Sequence, residues 1–525
     1  MKLIQNKNQL RLLGLNVVLV FFLILSTNLG FLPLGKGDFT FLVFLVLTVA
    51  LYRPSWGFLF FVGTIMLENI NLAPSELGLA VRPYQLLGGL TLLSVAIRFF
   101  TKRLNFTLVK FTFWDGAVLL LGVGSFLSLA NSPMRGASFK QAVIMLSYIA
   151  LYFLVRNFLQ TKEDLKKVLP FFLSSSLIVV GYSIWQNVRF LQGGAHFEVM
   201  PGRPNGTFTE ADWLGVFLVL LLAAVYGIMY WERNNNQETN IKQISNLKSK
   251  ISNNLFLVSC FLYLVLVYVA LILTVARSAW VGAVAVTIVF LVAIFTQLRM
   301  DYKLWRWRDV LQMKLIIIPA FVLSVGVVYI FGLTNFQLGN RLQSTGSGQQ
   351  EITVSCATEK ELSSQTWELS SLAAVGCHQI NLEDIETEKA AGRFVTEVYR
   401  KDPNINVRSE IYKKSWELIK SHSIIGIGWG SVSSYLGTDE RGAGLNASNI
   451  FLETWLGAGL LGLVSLVVLL GFALYNSIRF FLRQDQSFGL FLLLGLTAII
   501  VPNLFNSGIF LGFVWLFLGL AFIRK

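Results

Sequence analysis

Residues 254–296 read NLFLVSCFLYLVLVYVALILTVARSAWVGAVAVTIVFLVAIFT, and this stretch decides the fold. It contains two apolar runs, 254–273 and 278–296. Each has about the 20 residues that a helix needs to cross the roughly 30 Å hydrocarbon core of a bilayer. The one charged residue in the stretch is Arg277, which lies in the short turn between the runs. The pattern therefore predicts two transmembrane helices that form a hairpin.

The composition of the whole chain extends this prediction. Of its 525 residues, 54% are hydrophobic and 14% are charged, whereas a soluble domain carries about 25% charged residues. An ordinary soluble protein is thus excluded. Hydropathy predicts an all-α membrane protein with about fourteen transmembrane helices, or about twelve if the short second and third do not span. The predicted spans are 10–28, 38–52, 54–69, 84–100, 114–131, 139–158, 167–190, 211–231, 254–273, 278–296, 314–332, 450–475, 488–503 and 505–522.

The positive residues predict the orientation. With both termini in the cytoplasm, at a bacterial inner membrane, the inner segments hold 25 of the 43 Lys and Arg residues, as the positive-inside rule requires. Eleven of the other 18 lie in one long outer loop, where the rule carries little weight. Membrane orientation therefore explains the net charge of +14, and no nucleic-acid partner is predicted. The first span follows basic residues as a signal peptide does, but no small-residue cleavage site follows it, so we expect it to be retained.

Three regions are expected along the chain. Residues 1–332 form an N-terminal bundle of about eleven helices, 333–449 form a large periplasmic loop, and 450–525 add about three transmembrane helices. Within the loop, residues 343–388 are rich in Ser, Thr, Gln and Glu and are interpreted as a mobile excursion. Functional residues are expected to concentrate in and around this loop.

The loop contains a candidate disulfide and a predicted helix. Cys356 and Cys377 would both face an oxidising compartment, and the sequence leaves open whether they pair. Residues 408–421 place apolar side chains at helical spacing, with Lys and Glu opposite them. An amphipathic helix on the membrane surface is predicted, either as part of a site or as a cap on the bundle. The apolar side chains are Ile411, Tyr412, Trp416, Leu418 and Ile419.

Arginines at the outer edges of the spans are the first candidate functional residues. Arg277 lies in the turn of TVARSAW, and Arg203 lies in GRPNGTFTEADW shortly before the next span. Arg82 and Arg135 occupy similar outer edges. A charge at membrane depth needs a partner, and a planar guanidinium suits a diphosphate. The alternative is that these side chains only anchor the protein to phospholipid headgroups.

No metal site and no cofactor are predicted. The three histidines are scattered, and no Asp-x-Asp pair suits a metal-bound nucleotide sugar. The segment GFLPLGKG at 30–37 lacks the Ser or Thr of a phosphate-binding loop and does not stand between a strand and a helix. The arginines are therefore the main candidates for binding an anionic substrate.

Four segments resemble the O-antigen ligase and O-antigen polymerase family of bacterial membrane glycosyltransferases, in the order found in that family. RPNGTFTEADWLGVFL (203–218) is similar to an Arg-x-x-Gly-Thr-Phe segment that leads into a helix. LTVARSAWVGA (273–283) is similar to a Thr-x-Ser-Arg-Gly-Ala turn, with Ala276 in place of Ser and Ser278 in place of Gly. The other two segments follow in the C-terminal half of the chain.

RSEIYKKSWELIKSHSIIGIGWGS (408–431) resembles the family's Arg-led helix followed by Gly-Val-Gly-x-Gly. ASNIFLETWLGAGLLGLV (447–464) resembles the His-Asn-x-x-Leu segment that enters the next span and ends in Gly-Leu-x-Gly. Together with the large outer loop, the resemblance covers most of the chain and implies a helical architecture similar to that of GT-C-type glycosyltransferases.

The resemblance also implies a reaction. A glycan on undecaprenyl diphosphate is transferred to an acceptor hydroxyl, with inversion and without a metal ion. Arg203 and Arg277 would then be catalytic, because they stabilise the charge that grows on the leaving diphosphate. The candidate substrate-binding residues are Arg82, Arg135, Arg408, Trp429, Ser448 and Asn449. Trp429 is expected either to stack on a sugar or to anchor the interface.

The general base stays open, because Ser448 stands before Asn449 where ligases of the family usually have His. An unassisted serine does not accept a proton near neutral pH. Either another group serves, or the reaction is dissociative and needs little assistance, or the protein is a polymerase or divergent relative with a different arrangement. The candidate bases are Glu410, His422, Asp439 and Glu440.

Two other classes of function are considered, a small-anion (bicarbonate-like) transporter and a non-catalytic component of a polysaccharide assembly. A transporter is disfavoured because the chain shows no internal repeat. The expected partners are the lipid-linked glycan, a glycan or lipid acceptor, the bilayer, and a chain-length regulator or flippase. Ligase and polymerase are not distinguished by the sequence.

Overall fold

The computed structural model describes residues 7–193, 203–240, 247–300, 307–334, 349–358, 367, 369–380, 385–401, 403–438 and 444–523. Over these residues the chain is an all-α polytopic membrane protein with one small sheet. The first eleven helices are α1 (Lys7–Asn28), α2 (Lys36–Tyr52), α3 (Pro54–Thr64), α4 (Pro83–Phe100), α5 (Phe113–Leu127), α6 (Arg135–Phe158), α7 (Lys162–Leu191), α8 (Ala211–Asn240), α9 (Leu247–Leu273), α10 (Arg277–Met300) and α11 (Trp307–Ile330). The remaining helices are α12 (Leu369–Ala374), α13 (Ile385–Ala390), α14 (Pro403–Ser421), α15 (Val432–Leu436), α16 (Ile450–Arg479), α17 (Gln486–Asn503) and α18 (Gly512–Ala521).

A helix forms at each of the fourteen predicted spans. Among the described residues, ten helices have the length and composition to cross a membrane, namely α1, α4–α10, α16 and α17. The second and third spans correspond to α2 and α3, which have 17 and 11 residues. The last predicted span, 505–522, is too long at its start, since α18 begins at Gly512 and a loop precedes it.

The turn between α2 and α3 lies at the same end of the bundle as the end of α4. Arg98, in the last turn of α4, donates hydrogen bonds to the carbonyls of Leu51 and Tyr52 at 2.7–3.0 Å. Pro54 starts α3, where a missing amide hydrogen costs nothing. The prediction of two separate helices is therefore confirmed. The third helix is shorter than predicted, since α3 ends at Thr64 and irregular backbone follows it.

The core of the bundle is built around α8, which is the most buried candidate span, with 89% of its apolar window inside the protein. Close approach is possible where glycines face larger side chains. A Cβ on Gly227 would lie 2.7 Å from Phe491, and one on Gly282 would lie 2.5 Å from Pro502. These glycines let α8 and α10 pack directly against α17.

A buried ion pair lies where the C-terminal ends of α6 and α18 meet the start of α5. Arg156 of α6 pairs with Asp115 of α5 at 3.2 Å and donates to the carbonyl of Phe522 at 2.6 Å. Tyr152 donates to the same carboxylate at 2.9 Å. Because a buried charge requires a partner, this cluster holds α5, α6 and the end of α18 together.

Helix α16 is broken at Gly459, whose φ of 67° is in the left-handed region that favours glycine. The segment 424–427 supplies backbone partners at the break. The amide of Ile427 donates to the carbonyl of Leu456 at 2.8 Å, and the amide of Leu460 donates to the carbonyl of Ile424 at 3.0 Å. Backbone groups of this segment therefore satisfy polar groups that the break exposes.

The chain divides into two compact units, one comprising Met1–Leu333 with Glu417–Lys525, and one comprising Thr334–Trp416. The second unit contains an antiparallel sheet of β1 (Gln349–Cys356), β2 (Cys377–Gln379) and β3 (Phe394–Lys401), in the order β2-β1-β3.

Cys356 and Cys377 face each other across β1 and β2 and form a disulfide. The interpretation of 343–388 as a mobile excursion is wrong for the described part of that segment. Alternate side chains of β1, Ile352 and Val354, are buried together with Val398 of β3 and form a small core.

Helix α14 starts five residues before the predicted Arg408, at Pro403, since proline is well tolerated at the first helical position. Its buried positions are Ile411, Ser415 and Ile419, one every four residues. Trp416, which was expected on the same face, is 48% exposed. The helix is amphipathic as predicted, but its apolar face is narrower than the sequence suggested.

Candidate functional site

The turn between α9 and α10 presents Arg277 as the first residue of α10. Val275 has a φ of 51°, which is unusual for a β-branched residue. Thr274 stabilises the turn, since its hydroxyl donates to the carbonyl of Leu271 at 2.7 Å and accepts from the amide of Ala276 at 3.3 Å. The positive φ of Val275 makes this turn strained, and the hydrogen bonds of Thr274 hold it in place. Arg277, which follows the turn, is half-buried.

Arg203 reaches this same turn. Its Nε donates to the carbonyl of Thr274 at 2.9 Å, three residues before Arg277. Its Nη2 forms an ion pair with Asp212, near the start of α8, at 3.0 Å, and its side chain is 11% exposed. The structure thus places the two arginines selected from the sequence on directly connected elements.

The segment after Arg203 is fixed by its backbone. Gly206 has a φ of 58°, and its amide donates to Oε1 of Gln186 in α7 at 2.7 Å. The hydroxyl of Thr207 donates to the carbonyl of Met66 at 2.6 Å, and the backbone carbonyl of Thr207 accepts from the amide of Asn69 at 2.8 Å. The Arg203 segment is therefore joined to the irregular stretch that follows α3.

Arg82 lies beside that stretch and pairs with Glu68. Its Nε is 3.1 Å from Oε2 of Glu68 and 2.6 Å from the Glu68 carbonyl. Its Nη1 donates to the hydroxyl of Tyr148 at 2.9 Å, and Tyr84 donates to Glu68 at 2.8 Å. Burial lowers the pKa of Arg82 and the Glu68 carboxylate raises it, with a net increase that keeps the guanidinium charged.

Sequence reasoning missed Glu68, Tyr84 and Tyr148. A signal existed for Glu68, because an acidic residue inside a predicted span such as 54–69 is uncommon and requires a partner. The tyrosines carried no such signal, since aromatic residues are frequent in all of the spans. Arg82 therefore has a buried counter-ion that the sequence did not identify.

The loop of residues 504–511, between α17 and α18, connects the parts of this region. The carbonyl of Leu504 accepts from Nδ2 of Asn449 at 3.0 Å, and Nδ2 of Asn506 donates to the hydroxyl of Ser278 at 2.8 Å. The carbonyl of Phe510 accepts from Tyr148. Hydropathy had assigned this loop to a span, so its role was not foreseen.

Ser448 and Asn449 form the start of α16. Asn449 is its N-cap, and its side-chain oxygen accepts from the amides of Phe451 and Leu452 at 2.9 and 3.2 Å. Ser448 has a φ of 48°, and its amide donates to Asn446 at 2.9 Å. The buried Glu453 carboxylate accepts from the amide of Ala447 at 2.7 Å, which is a structural role.

Trp429 is 6% exposed and lies inside the packing. Its Nε1 donates to the hydroxyl of Ser125 at 2.9 Å, and its ring meets that of Phe510 edge-on at 4.9 Å. Around it, a Cβ on Gly457 would lie 2.2 Å from the Trp429 ring, and one on Gly430 would lie 2.3 Å from the backbone of Ala137. Residues 426–430, the glycine-rich segment, thus pack closely against α6 and α16.

The remaining predicted residues are placed as follows. Arg135 is exposed at the first position of α6. In α14, Glu410 is exposed and Arg408 is half-buried. His422 is half-buried, with Nδ1 2.9 Å from the hydroxyl of Ser421. Asp439 and Glu440 lie outside the described residues. Across the described residues, no group of three His, Cys, Asp or Glu is arranged to hold a metal ion.

Residues 262–467 match a family model described as O-antigen ligase. This part of the chain is therefore similar to the O-antigen ligase family. The matched region contains Arg277, Arg408, Trp429, Ser448 and Asn449. A search of the curated proteins found no match. The match contains three of the four segments on which the resemblance rests, 273–283, 408–431 and 447–464, and supports the resemblance to the O-antigen ligase and polymerase family.

Proposed function

We propose that this protein transfers a glycan from undecaprenyl diphosphate to an acceptor hydroxyl, with inversion at the anomeric carbon and without a metal ion. The acceptor oxygen attacks the anomeric carbon from the face opposite to the diphosphate. The bond between that carbon and the phosphate oxygen breaks, and its electron pair leaves with the diphosphate. Arg203 and Arg277 stabilise this growing negative charge.

The contact between Arg203 and the Arg277 turn carries the proposal. Because Arg203 Nε donates to the carbonyl of Thr274 at 2.9 Å, the two guanidinium groups originate from adjoining elements. Two arginines can share a diphosphate through several charge-assisted hydrogen bonds. The carboxylate of Asp212, with Oδ1 3.0 Å from Nη2 of Arg203, balances part of the charge on Arg203.

The surface of α10 supports a lipid-linked donor. Val281, Val284, Ile288 and Val292 are 50–59% exposed and follow one face of the helix that Arg277 begins. A polyprenyl chain lying along this face in the bilayer would place its diphosphate near the start of α10. An arginine next to a lipid-facing stripe suits a substrate that is both apolar and anionic.

The proposed orientation is the one that the distribution of Lys and Arg predicts. Both termini lie in the cytoplasm, and the loop of residues 333–449 is periplasmic at a bacterial inner membrane. The disulfide between Cys356 and Cys377 supports this orientation, because disulfides persist in oxidising compartments. The acceptor is a lipid or another glycan, and a chain-length regulator or a flippase is the expected protein partner.

The proton of the acceptor hydroxyl needs a destination. His422 and Glu410 lie in the part of the chain that the structure describes and remain candidate bases. Asp439 and Glu440, which lie outside it, remain candidates as well. Ser448 lacks the basicity for this role. A dissociative transition state lowers the demand for a base, since the anomeric carbon then becomes electrophilic before the acceptor attacks.

The test is the surface polysaccharide profile of a deletion strain, complemented with the wild type or with Arg277→Ala and resolved by chain length. Loss of long chains, with single lipid-linked repeats accumulating, indicates a polymerase. Long carrier-linked chains without attachment to an acceptor indicate a ligase. In either case Arg277→Ala should fail to complement. An unchanged profile would contradict the proposal and favour the transporter.

Metal independence is tested separately with purified protein and the lipid-linked glycan. Transfer should continue at an unchanged rate after dialysis against EDTA. Abolition of transfer by EDTA and its recovery on addition of a divalent cation would contradict this part of the proposal.

A further inference from the structure

Ser278 is one of two residues at which the Arg277 turn departs from the pattern it resembles, since glycine is usual there and serine is usual at Ala276. In this chain the Ser278 hydroxyl accepts a hydrogen bond from Nδ2 of Asn506 at 2.8 Å. Ser278 is 7% exposed and directly follows Arg277. The start of α10 thus has a side-chain contact to a different part of the chain, one that glycine could not make.

The loop that carries Asn506 is itself held firmly. Oδ1 of Asn503 accepts from the amide of Gly508 at 2.8 Å, and a Cβ on Gly508 would lie 2.7 Å from that oxygen. Trp515 donates from Nε1 to the carbonyl of Ile509 at 2.7 Å. Because the two ends of the loop are fixed in this way, Asn506 is a rigid partner for Ser278.

The same loop also contacts the start of α16. Nδ2 of Asn449 donates to the carbonyl of Leu504 at 3.0 Å, while Oδ1 of Asn449 caps the helix. One residue, Phe505, separates Leu504 from Asn506 in the sequence, so one short segment touches the N-termini of both α10 and α16. These are the helices that begin at Arg277 and directly after Ser448 and Asn449.

We propose that Asn506 is a positioning residue which, through Ser278, fixes the first turn of α10 and thereby the direction of Arg277. The inference rests on the proposed function, because it assigns Asn506 a role in the step that Arg277 stabilises. Asn506 touches neither the donor nor the acceptor in this account. Its effect is on the rate of transfer and not on donor affinity, since a charge that is aimed less accurately stabilises the transition state less.

The test uses the purified full-length protein in lipid nanodiscs. Asn506→Ala and Ser278→Ala each remove one partner, and the double variant removes both. Ser278→Thr retains the hydroxyl. Asn157→Ala is the matched control, because Asn157 is also a half-buried amide that bridges two segments, at 2.9 Å from the amide of Val109. Two quantities are measured, kcat and KM for the lipid-linked donor, and hydrogen exchange of the backbone amides at 276–280.

We expect Asn506→Ala and Ser278→Ala each to lower kcat by about tenfold, with KM changed by less than about twofold. The double variant should be no slower than either single variant, because both remove the same hydrogen bond. Hydrogen exchange at 276–280 should become faster in all three. Ser278→Thr should stay within about twofold of the wild type in kcat, and Asn157→Ala should leave the exchange at 276–280 unchanged.

Unchanged exchange in Asn506→Ala would overturn the inference, and so would effects on kcat that add in the double variant. A wild-type protein that transfers no glycan would contradict the proposed function instead. The exchange measurement would then still decide whether Asn506 fixes the start of α10.

Discussion

Glu68 accepts a hydrogen bond from the backbone amide of Gly512 at 2.6 Å, and this contact joins the stretch after α3 to the start of α18, 444 positions away. The same carboxylate pairs with Arg82 and accepts from Tyr84. A single buried side chain therefore connects three distant parts of the chain. Without it, Arg82 would lose its counter-ion and the Gly512 amide would lose the carboxylate acceptor.

The first prediction concerns this carboxylate. Glu68→Gln should lower the free energy of unfolding by about 3 kcal/mol, because it leaves the Arg82 charge buried without its counter-ion. The measurement is thermal or denaturant unfolding of the protein in detergent micelles. Glu76→Gln is the matched control, since Glu76 is exposed in the same stretch. Equal stability of the two variants would show that the pair contributes little.

The two catalytic candidates give the second prediction. Arg203→Ala and Arg277→Ala should each lower the rate of glycan transfer by about 100-fold or more, because each removes a group that stabilises developing charge. Lysine at either position should recover only part of the rate, since it cannot bind two phosphate oxygens through a planar fork. Transfer by purified protein is the measurement. Arg479→Ala, at an exposed position at the C-terminal end of α16, is the control.

Both arginine variants should reach the membrane in normal amounts, as measured by fractionation and immunoblot. A variant that transfers glycan at the rate of the wild type would contradict the proposed mechanism. A variant that is absent from the membrane would instead indicate a folding role for that arginine.

The third prediction concerns the glycine-rich segment. Gly430→Ala should destabilise the protein by about 2 kcal/mol, because the new Cβ would lie 2.3 Å from the backbone of Ala137, which cannot move aside. Gly471→Ala is the control within α16, where nothing lies within 4 Å of the new Cβ. That variant should be neutral or more stable by up to about 1 kcal/mol. The comparison of melting temperatures decides the matter, and equal shifts would refute the packing argument.

The start of α16 gives the fourth prediction. Asn449→Ala should lower stability by about 1 kcal/mol through loss of the cap, while Asn449→Asp should keep most of it. Ser448→Gly should be tolerated, because φ at this position is 48° and glycine adopts that region without strain. Unfolding measurements test the caps. If Ser448→Gly abolishes glycan transfer in a stable protein, the hydroxyl itself takes part in the reaction.

The fifth prediction concerns the disulfide. Replacing Cys356 and Cys377 by Ser should lower the stability of the Thr334–Trp416 unit by about 3 kcal/mol, because the bond closes a loop of about 20 residues. Limited proteolysis should then cut within that unit at lower protease concentration. Cys260→Ser, at a buried free cysteine, should leave the cleavage pattern of this unit unchanged. An identical pattern in the double Ser variant would contradict the prediction.

The order and approximate positions of the long helices could be predicted, because hydropathy marks the apolar runs that a membrane-spanning helix needs. Arg203 and Arg277 were selected because charges at membrane edges are costly and therefore conspicuous. The loop at 504–511 was assigned to a span because apolar residues, Phe510 and Leu511 among them, flank its turn signal, Asn506-Ser507-Gly508. Hydropathy does not distinguish an apolar loop held by protein contacts from an apolar helix.

The pairing of side chains was also beyond the sequence. Nothing in the local pattern indicates that Arg82 pairs with Glu68, since partner choice depends on tertiary packing. The strand β1 did carry a signal, because Ile352, Val354 and Cys356 alternate with polar residues. Its Ser, Thr and Gln content concealed that alternation, and the segment was taken for a mobile excursion.

The break at Gly459 has a consequence for biosynthesis. Lipid offers no partners to the amide and carbonyl groups that the break exposes, and residues 424–427 supply them. Those residues are translated about 30 positions before Leu456–Leu460, so they have already left the ribosome when α16 enters the membrane. The groups at the break therefore lack these partners until residues 424–427 dock against α16, and the segment that satisfies the break is already synthesised when the helix is inserted.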